Sequence, residues 1–142
     1  MKLVDANVLI YAVNSDSVHH SASRTWLESA LDGGTRVGFA WNTLLAFVRL
    51  STHPSILSAP IPVPEALALV DDWLGQPATE VLHPSARHAH VLNDLLAHVG
   101  TGGNLVNDAH LAALSIEHRA EIVSYDTDFD RFPAVRWSRP GP

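Results

Sequence analysis

The sequence predicts an α/β fold, with a mainly parallel central sheet covered by helices on both faces. Three observations predict it. Short, mostly apolar segments with β-branched residues alternate along the chain with longer segments of helical period, an order that implies right-handed crossovers between parallel strands. The 142 residues suit one domain, 1–142, large enough to bury a core without staples. No internal repeat, low-complexity tract or linker divides them.

Taken in order, Lys2-Leu3-Val4 reads as a short buried strand ending at Asp5, and Asn7 to Val13 as a helix capped by the Asp5-Ala6-Asn7 turn. His19 to Leu31 places Ala22, Trp26, Leu27 and Ala30 on one helical face, and Gly33-Gly34 stops it. Arg36 to Ala40 is the second strand. Asn42 to Thr52 is helical and ends at Pro54. Residues 54–64 hold Pro54, Pro60, Pro62 and Pro64, a loop too short to link domains. Glu65 to Leu74 is the next helix, with Pro64 suited to its first turn. Thr79 to Leu82 is a strand and Ser85 to Val99 a longer helix closed by the Gly100-Thr101-Gly102-Gly103 loop. Leu105 to Arg119 is a helix, Glu121 to Ser124 a strand, Asp126 to Phe132 a tight turn or short helix, and Val135 to Trp137 a last short strand.

Composition narrows the chemistry. With no cysteine there are no disulfides, thiolate metal sites or cysteine nucleophile, which is compatible with a cytoplasmic address. The N-terminus lacks a signal peptide's layout, and the longest apolar runs fall well short of the ~20 residues that span a membrane. The formal charge of −6 is unlike the basic footprint of an extensive nucleic-acid binder. Carboxylates gathered on metal ions would cancel part of that charge locally, and the ions attract phosphate. A brief catalytic encounter with nucleic acid, or one aided by a partner, fits this balance.

In parallel sheets function gathers at the carboxyl ends of the strands. Asp5 ends the first strand, and Asp126 follows the strand Glu121 to Ser124, so both open onto one sheet edge; Asp128 comes two residues later. Asp108 lies in the first turn of its helix, within ~60° of Leu105, Leu111 and Ala112, and so borders the apolar stripe. Each acid has a structural explanation of its own: Asp108 complementing the helix dipole for ~0.3–1 kcal/mol, Asp5 as a cap, Asp126 to Asp130 as turn chemistry. Together they are costly, because like charges raise one another's pKa, and a divalent cation relieves that repulsion. Hard oxygen ligands without Cys or a His cage point to Mg²⁺ or Mn²⁺ rather than Zn²⁺.

Leu3-Val4-Asp5-Ala6-Asn7-Val8-Leu9-Ile10-Tyr11 resembles the opening motif of PIN domains. Asn107-Asp108-Ala109-His110-Leu111-Ala112-Ala113-Leu114 resembles their third acidic motif, and Ser124-Tyr125-Asp126-Thr127-Asp128-Phe129 the closing one. The motifs occur in family order, the likeness in layout covers nearly the whole chain, and it is nearest to VapC-type toxins. The resemblance implies a PIN-like three-layer α/β/α domain and a metal-dependent endoribonuclease, the toxin half of a toxin–antitoxin pair. Asp5, Asp108 and Asp126 would be catalytic, metal-coordinating acids, with Asp128 a fourth. Asn7 would support the site, and Ser124 would hydrogen-bond an acid or a metal-bound water. The family's usual glutamate on the helix after the second strand is replaced: in Leu44-Leu45-Ala46-Phe47-Val48-Arg49, Ala46 stands in its place. That departure bears on a second metal more than on nuclease chemistry, and Asn42, one turn earlier on the same face, is placed to share the shell. Arg49 is a candidate phosphate contact. Further implications are a cognate antitoxin that crosses the acidic site with an Arg, a homodimer built on apolar helix faces, and RNA cut in unpaired loops of tRNA or rRNA.

Other features read as structural. His88 and His90 diverge by ~200° on a helix and are expected at the surface. His19 and His20 are expected to be exposed before their helix, and His110 to be structural. Trp26, Phe47 and Trp73 are expected to pack in the core or an interface, and Gly100-Thr101-Gly102-Gly103 lacks the lysine and spacing of a phosphate loop. Two rivals remain. A haloacid-dehalogenase-like phosphatase expects a second acid where Asn7 stands and a basic residue, normally Lys, whereas the only lysine is Lys2; a receiver domain meets the same lysine problem. A catalytically weak PIN-like RNA-binding module is the other, favoured by Ala46.

Overall fold

A computed structural model describes residues 1–100 and 102–141. Strands β1 (Lys2–Val4), β2 (Val37–Phe39), β3 (Thr79–Val81), β4 (Glu121–Val123) and β5 (Trp137–Ser138) form one sheet in the order β3-β2-β1-β4-β5. All four neighbouring pairs are parallel. Pairs of helices make the crossovers: α1 (Ala6–Val13) and α2 (His20–Ser29), α3 (Trp41–Ser51) and α4 (Val63–Leu74), then α5 (His88–Val99) and α6 (Val106–Glu117). The chain steps outward from β1 through β2 to β3, then returns to place β4 on the other side of β1. The order therefore reverses between β1 and β4, and the carboxyl ends of those two strands open onto the crevice where parallel sheets bind ligands.

Alternation along the strands builds two cores. Val4, Val37, Phe39 and Val123 face a layer with Leu9, Phe47 and Trp73, whereas Leu3 and Ile122 face Leu95, Leu111, Leu114, Phe129 and Phe132. The result is the three-layer α/β/α arrangement. Gly38 sits between Val37 and Phe39 on the second face; a Cβ there would lie 2.7 Å from Leu82 Cδ1, so glycine leaves room for the Leu82 side chain that follows the neighbouring strand β3. Phe47 and Trp73 pack edge to face at 4.8 Å, core residues as their spacing predicts.

Several boundaries differ from the sequence reading for local reasons. α5 begins at His88 rather than Ser85, because the Ser85 N–H and hydroxyl both donate to Glu117. β5 covers Trp137–Ser138 rather than Val135 to Trp137, because Val135 N–H closes a turn onto Phe132 O and pairing with β4 starts at Ile122↔Trp137. After α2 the chain makes a wide turn over Ala30–Gly34, with Gly33 at φ 97°. Gly100 closes α5 in the left-handed region, φ 75°. Thr101 of the same glycine-rich loop lies outside the described residues. The stretch from Asp126 folds as a 3₁₀ segment, Thr127–Arg131.

Candidate metal centre

Asp5 leaves β1 with its N–H bonded to Val123 O on β4 (3.0 Å), which ties it to the switch point. It caps α1: Oδ1 accepts the Ala6 N–H at 2.7 Å. Oδ2 accepts from Ser124 Oγ at 2.7 Å and from Asn7 Nδ2 at 3.3 Å. Of the carboxylate's roughly four lone-pair directions these three bonds leave one open. Asn7 spans the two strand ends, bonding Ser124 Oγ (3.1 Å) while its Oδ1 accepts the Tyr125 N–H (3.2 Å). Asp126 is anchored by its N–H to Ser124 Oγ (2.9 Å) and its Oδ1 takes the Asp128 N–H (2.9 Å). The capping and turn roles are thus real, and they orient the acids toward one place.

Oxygens of Asp108, Asp126 and Asp128 all lie within 4.8 Å of one another. Asp5 stands beside this trio, lining with Asp108 a cleft of about 360 Å³ whose other walls include Asn42, Ala46 and Arg49. The structure thus brings together Asp5, Asp108, Asp126, Asp128, Asn7 and Ser124, while Asn42 and Arg49 face them from α3. Asp128 also accepts from Arg131 Nε at 3.1 Å, which divides its charge between that pair and the cluster. Burial, then the charge of Asp126 and its role as hydrogen-bond acceptor, then Asp5 and Asp128, push the Asp108 carboxyl up to about 7. Asp5 is also raised, first by burial and last by the charge of Asp126, against the opposing bonds from Ser124 and Ala6.

A hard divalent cation suits this donor set. The converging atoms are carboxylate oxygens, and Asn42 adds a buried Oδ1 that has no hydrogen-bond partner among the described residues, at the cleft wall. Ala46 contributes only a methyl group where an acid would have reached across.

Two arrangements have no counterpart in the sequence reading. His88, expected at the surface, has a side chain only 12% exposed: its Nδ1 donates to Glu117, and its Nε2 meets His110 Nδ1 at 2.8 Å. A carboxylate only accepts, so a neutral His88 takes its second bond from His110 as donor, which fixes both tautomers. This chain ties α5 to α6. Its members are 22 and 29 residues apart, and no local pattern announces them. His90 is exposed, as expected, and meets Asp94 at 3.4 Å. His19 and His20, expected to be exposed, are half-buried: His19 stacks on Tyr125 at 4.2 Å and His20 Nδ1 bonds Tyr11 O at 2.9 Å.

The sequence profile of the PIN domain matches residues 2–135. The chain belongs to the PIN domain family. Over 140 residues it is 58% identical to Ribonuclease VapC37 of Mycobacterium tuberculosis, covering 99% of this chain and 97% of that protein. It is 39% identical to Ribonuclease VapC33 of the same organism, covering 99% and 98%. Among solved structures it resembles VapBC2 of Rickettsia felis bound to a DNA fragment from its promoter, with TM-score 0.69, 19% identity and 97% of both chains covered. It also resembles VapBC-1 of nontypeable Haemophilus influenzae, with TM-score 0.70, 12% identity, and coverage of 97% of this chain and 96% of that one. At those identities the structural likeness concerns the PIN fold.

Proposed function

We propose that this PIN domain, spanning 1–142, is a metal-dependent endoribonuclease and the toxin of a VapBC-type module. The observation that carries the reading is the convergence of Asp108, Asp126 and Asp128, with Asp5 beside them, at the β1–β4 switch point. Relatives named ribonucleases and the VapBC complexes among the fold neighbours support the activity and an antitoxin partner.

Asp5, Asp108, Asp126 and Asp128 would hold Mg²⁺ or Mn²⁺. When bound, such an ion supplies a water of lowered pKa and neutralises charge on the phosphate. The protein's part is orientation. Ser124 and Asn7 hold the Asp5 carboxylate at the cleft with one acceptor direction unfilled, and Asp126 is held by Ser124 and Asp128. Arg49, on the opposite wall, is placed to contact a phosphate oxygen. No side-chain nucleophile is required. The RNA is expected to present unpaired bases, as loops of tRNA or rRNA do, and the compartment we propose is the cytoplasm. Among the described residues no helix is long and apolar enough to cross a membrane. Exposed Trp41 and Leu45, one turn apart on α3, offer an apolar face for a homodimer or the antitoxin.

One observation favours a second reading. Ala46 leaves the α3 wall of the cleft without a carboxylate, as in a catalytically weak RNA-binding module. Cleavage of structured RNA by purified, antitoxin-free protein with Mg²⁺, Mn²⁺ or EDTA, beside Asp108→Asn, separates the two. Metal-dependent cleavage lost in the variant is the expected result; retention of RNA by folded protein without cleavage would favour the module.

A further inference from the structure

Three aromatic rings pack together around Tyr125, the residue before Asp126. Tyr125 lies between Ser124 and Asp126 at the carboxyl end of β4, and its N–H bonds the same Asn7 that holds Asp5. Its hydroxyl forms a 2.9 Å bond with Ser23 Oγ, which is fully buried, so the ring is pinned by its tip. His19 stacks on that ring, centroids 4.2 Å apart and planes 28° from parallel. Tyr11, one turn beyond Asn7 on α1, meets Tyr125 edge-on at 5.3 Å and His19 at 5.1 Å. All three remain partly exposed, and neighbouring Val18 is 92% exposed. The bond from His20 to Tyr11 O ties the 14–19 loop, and His19 with it, to α1.

We propose that Tyr11, His19 and Tyr125 form a stacking platform for an unpaired base of the RNA strand next to the scissile phosphate. The proposal rests on the ribonuclease reading and names how that site takes its substrate. Charge alone is a poor source of affinity here: the chain carries −6, and Lys2, Arg24, Arg36 and Arg131 are already paired with acids. Stacking on aromatic and imidazole planes does not depend on net charge and tolerates any base. It also requires a base that is out of a duplex, which makes the platform selective for single-stranded segments. Tyr125 precedes Asp126 in the chain and its N–H bonds Asn7, which also bonds Asp5, so the platform and the carboxylates share the carboxyl end of β4.

The test uses full-length, antitoxin-free protein carrying Asp108→Asn, so that RNA is bound and not consumed, and a single-stranded oligoribonucleotide containing 2-aminopurine. Binding should quench the probe. His19→Ala should weaken binding about tenfold and abolish most of the quenching, while His19→Phe, which keeps a planar ring, should retain both. Mn²⁺ binding measured on the Asp108 wild-type background should be the same with His19→Ala, which excludes a general loss of fold. Equal affinity and quenching in His19→Ala, or absence of quenching in its parent, would each overturn the platform. If the wild type cleaves RNA and His19→Ala changes nothing, the platform fails and the nuclease stands. If the wild type cuts nothing but His19→Ala loses the base stack, the nuclease fails and the platform stands.

Discussion

Ser124 donates its only hydroxyl proton to Asp5 Oδ2, 2.7 Å away, because its two acceptor directions are already filled by Asp126 N–H and Asn7 Nδ2. The side chain is fully buried and joins residues 119 positions apart in the chain. The bond keeps Asp5 lower than burial alone would leave it, and so keeps it available as an anion. Ser124→Ala should therefore reduce Mn²⁺ affinity by about 10–100-fold, as loss of an outer-shell partner does. Titration calorimetry of the two proteins measures this, and equal affinities would show that Asp5 holds its orientation without Ser124.

Asp108 makes stability depend on pH in a direction opposite to that of most paired acids. Its folded-state pKa of about 7 lies above the ordinary value of 3.8, so between these the unfolded chain has already lost the proton that the fold retains. The stabilisation is complete below the ordinary value, declines as pH rises through the window and is gone above about 7. Metal-free protein should thus lose melting temperature from about pH 4 to 7. Asp108→Asn should flatten that slope, raise the metal-free melting temperature at pH 7.5 by about 2–4 °C and abolish cleavage. Calorimetry across pH with EDTA present checks it; an unchanged slope in the variant would place the repulsion elsewhere, with Asp5, whose pKa is also raised, the next residue to replace.

Ala46 lines the same cleft as Asp5 and Asp108, and the Asn42 Oδ1 nearby has no partner among the described residues. Ala46→Glu introduces a carboxylate on the α3 wall where only a methyl group stands, and should tighten Mn²⁺ about tenfold or add a second bound ion, since each added charged ligand raises affinity for a hard cation. In the metal-free protein the same change should lower the melting temperature, because it adds one more like charge. Electron paramagnetic resonance counts the bound ions directly. Unchanged stoichiometry and affinity would mean that the new carboxylate points out of the cleft.

The fold was legible because its signals are local or periodic. The central strands are short and mostly apolar, the helices carry stripes, and Asp5 and Asp126 sit at strand ends where topology alone brings them together. Their capping bonds were legible for the same reason, being one or two residues long. The start of α5 was not, since Ser85 is held outside the helix by Glu117, 32 residues away. Nor was the burial of His88, whose partners come from another helix, or that of His19, whose stacking partner follows β4. Contacts between side chains far apart in sequence leave no trace in periodicity. The departure at Ala46 was legible as a missing acid, and helical spacing already put Asn42 on its face with Arg49 nearby; that these three line one cleft with Asp5 and Asp108 is a fact of packing.

Glu117 accepts from Ser85 N–H, Ser85 Oγ and His88 Nδ1, and its side chain is 6% exposed. Burial alone would raise its pKa, but the bonds from Ser85 and His88 outweigh it and hold the carboxyl below its ordinary 4.5. A depressed carboxylate stabilises the fold above its unfolded value and ceases to do so as pH falls through the folded one, so this contribution is present at neutral pH and lost in acid below about 4.5. Glu117→Ala strands three donors at the junction of α5 and α6 and should cost about 1–3 kcal/mol at pH 7, or a melting temperature lower by roughly 3–8 °C. The loss should shrink as the buffer is acidified toward pH 4, and His88→Ala in the same background should add less than it does alone, because its partner is already gone. Denaturation of the single and double variants at two pH values decides the matter. Full additivity of Glu117→Ala and His88→Ala would show that the two side chains are not coupled, and that α5 is held to α6 by Leu95 and its apolar neighbours alone.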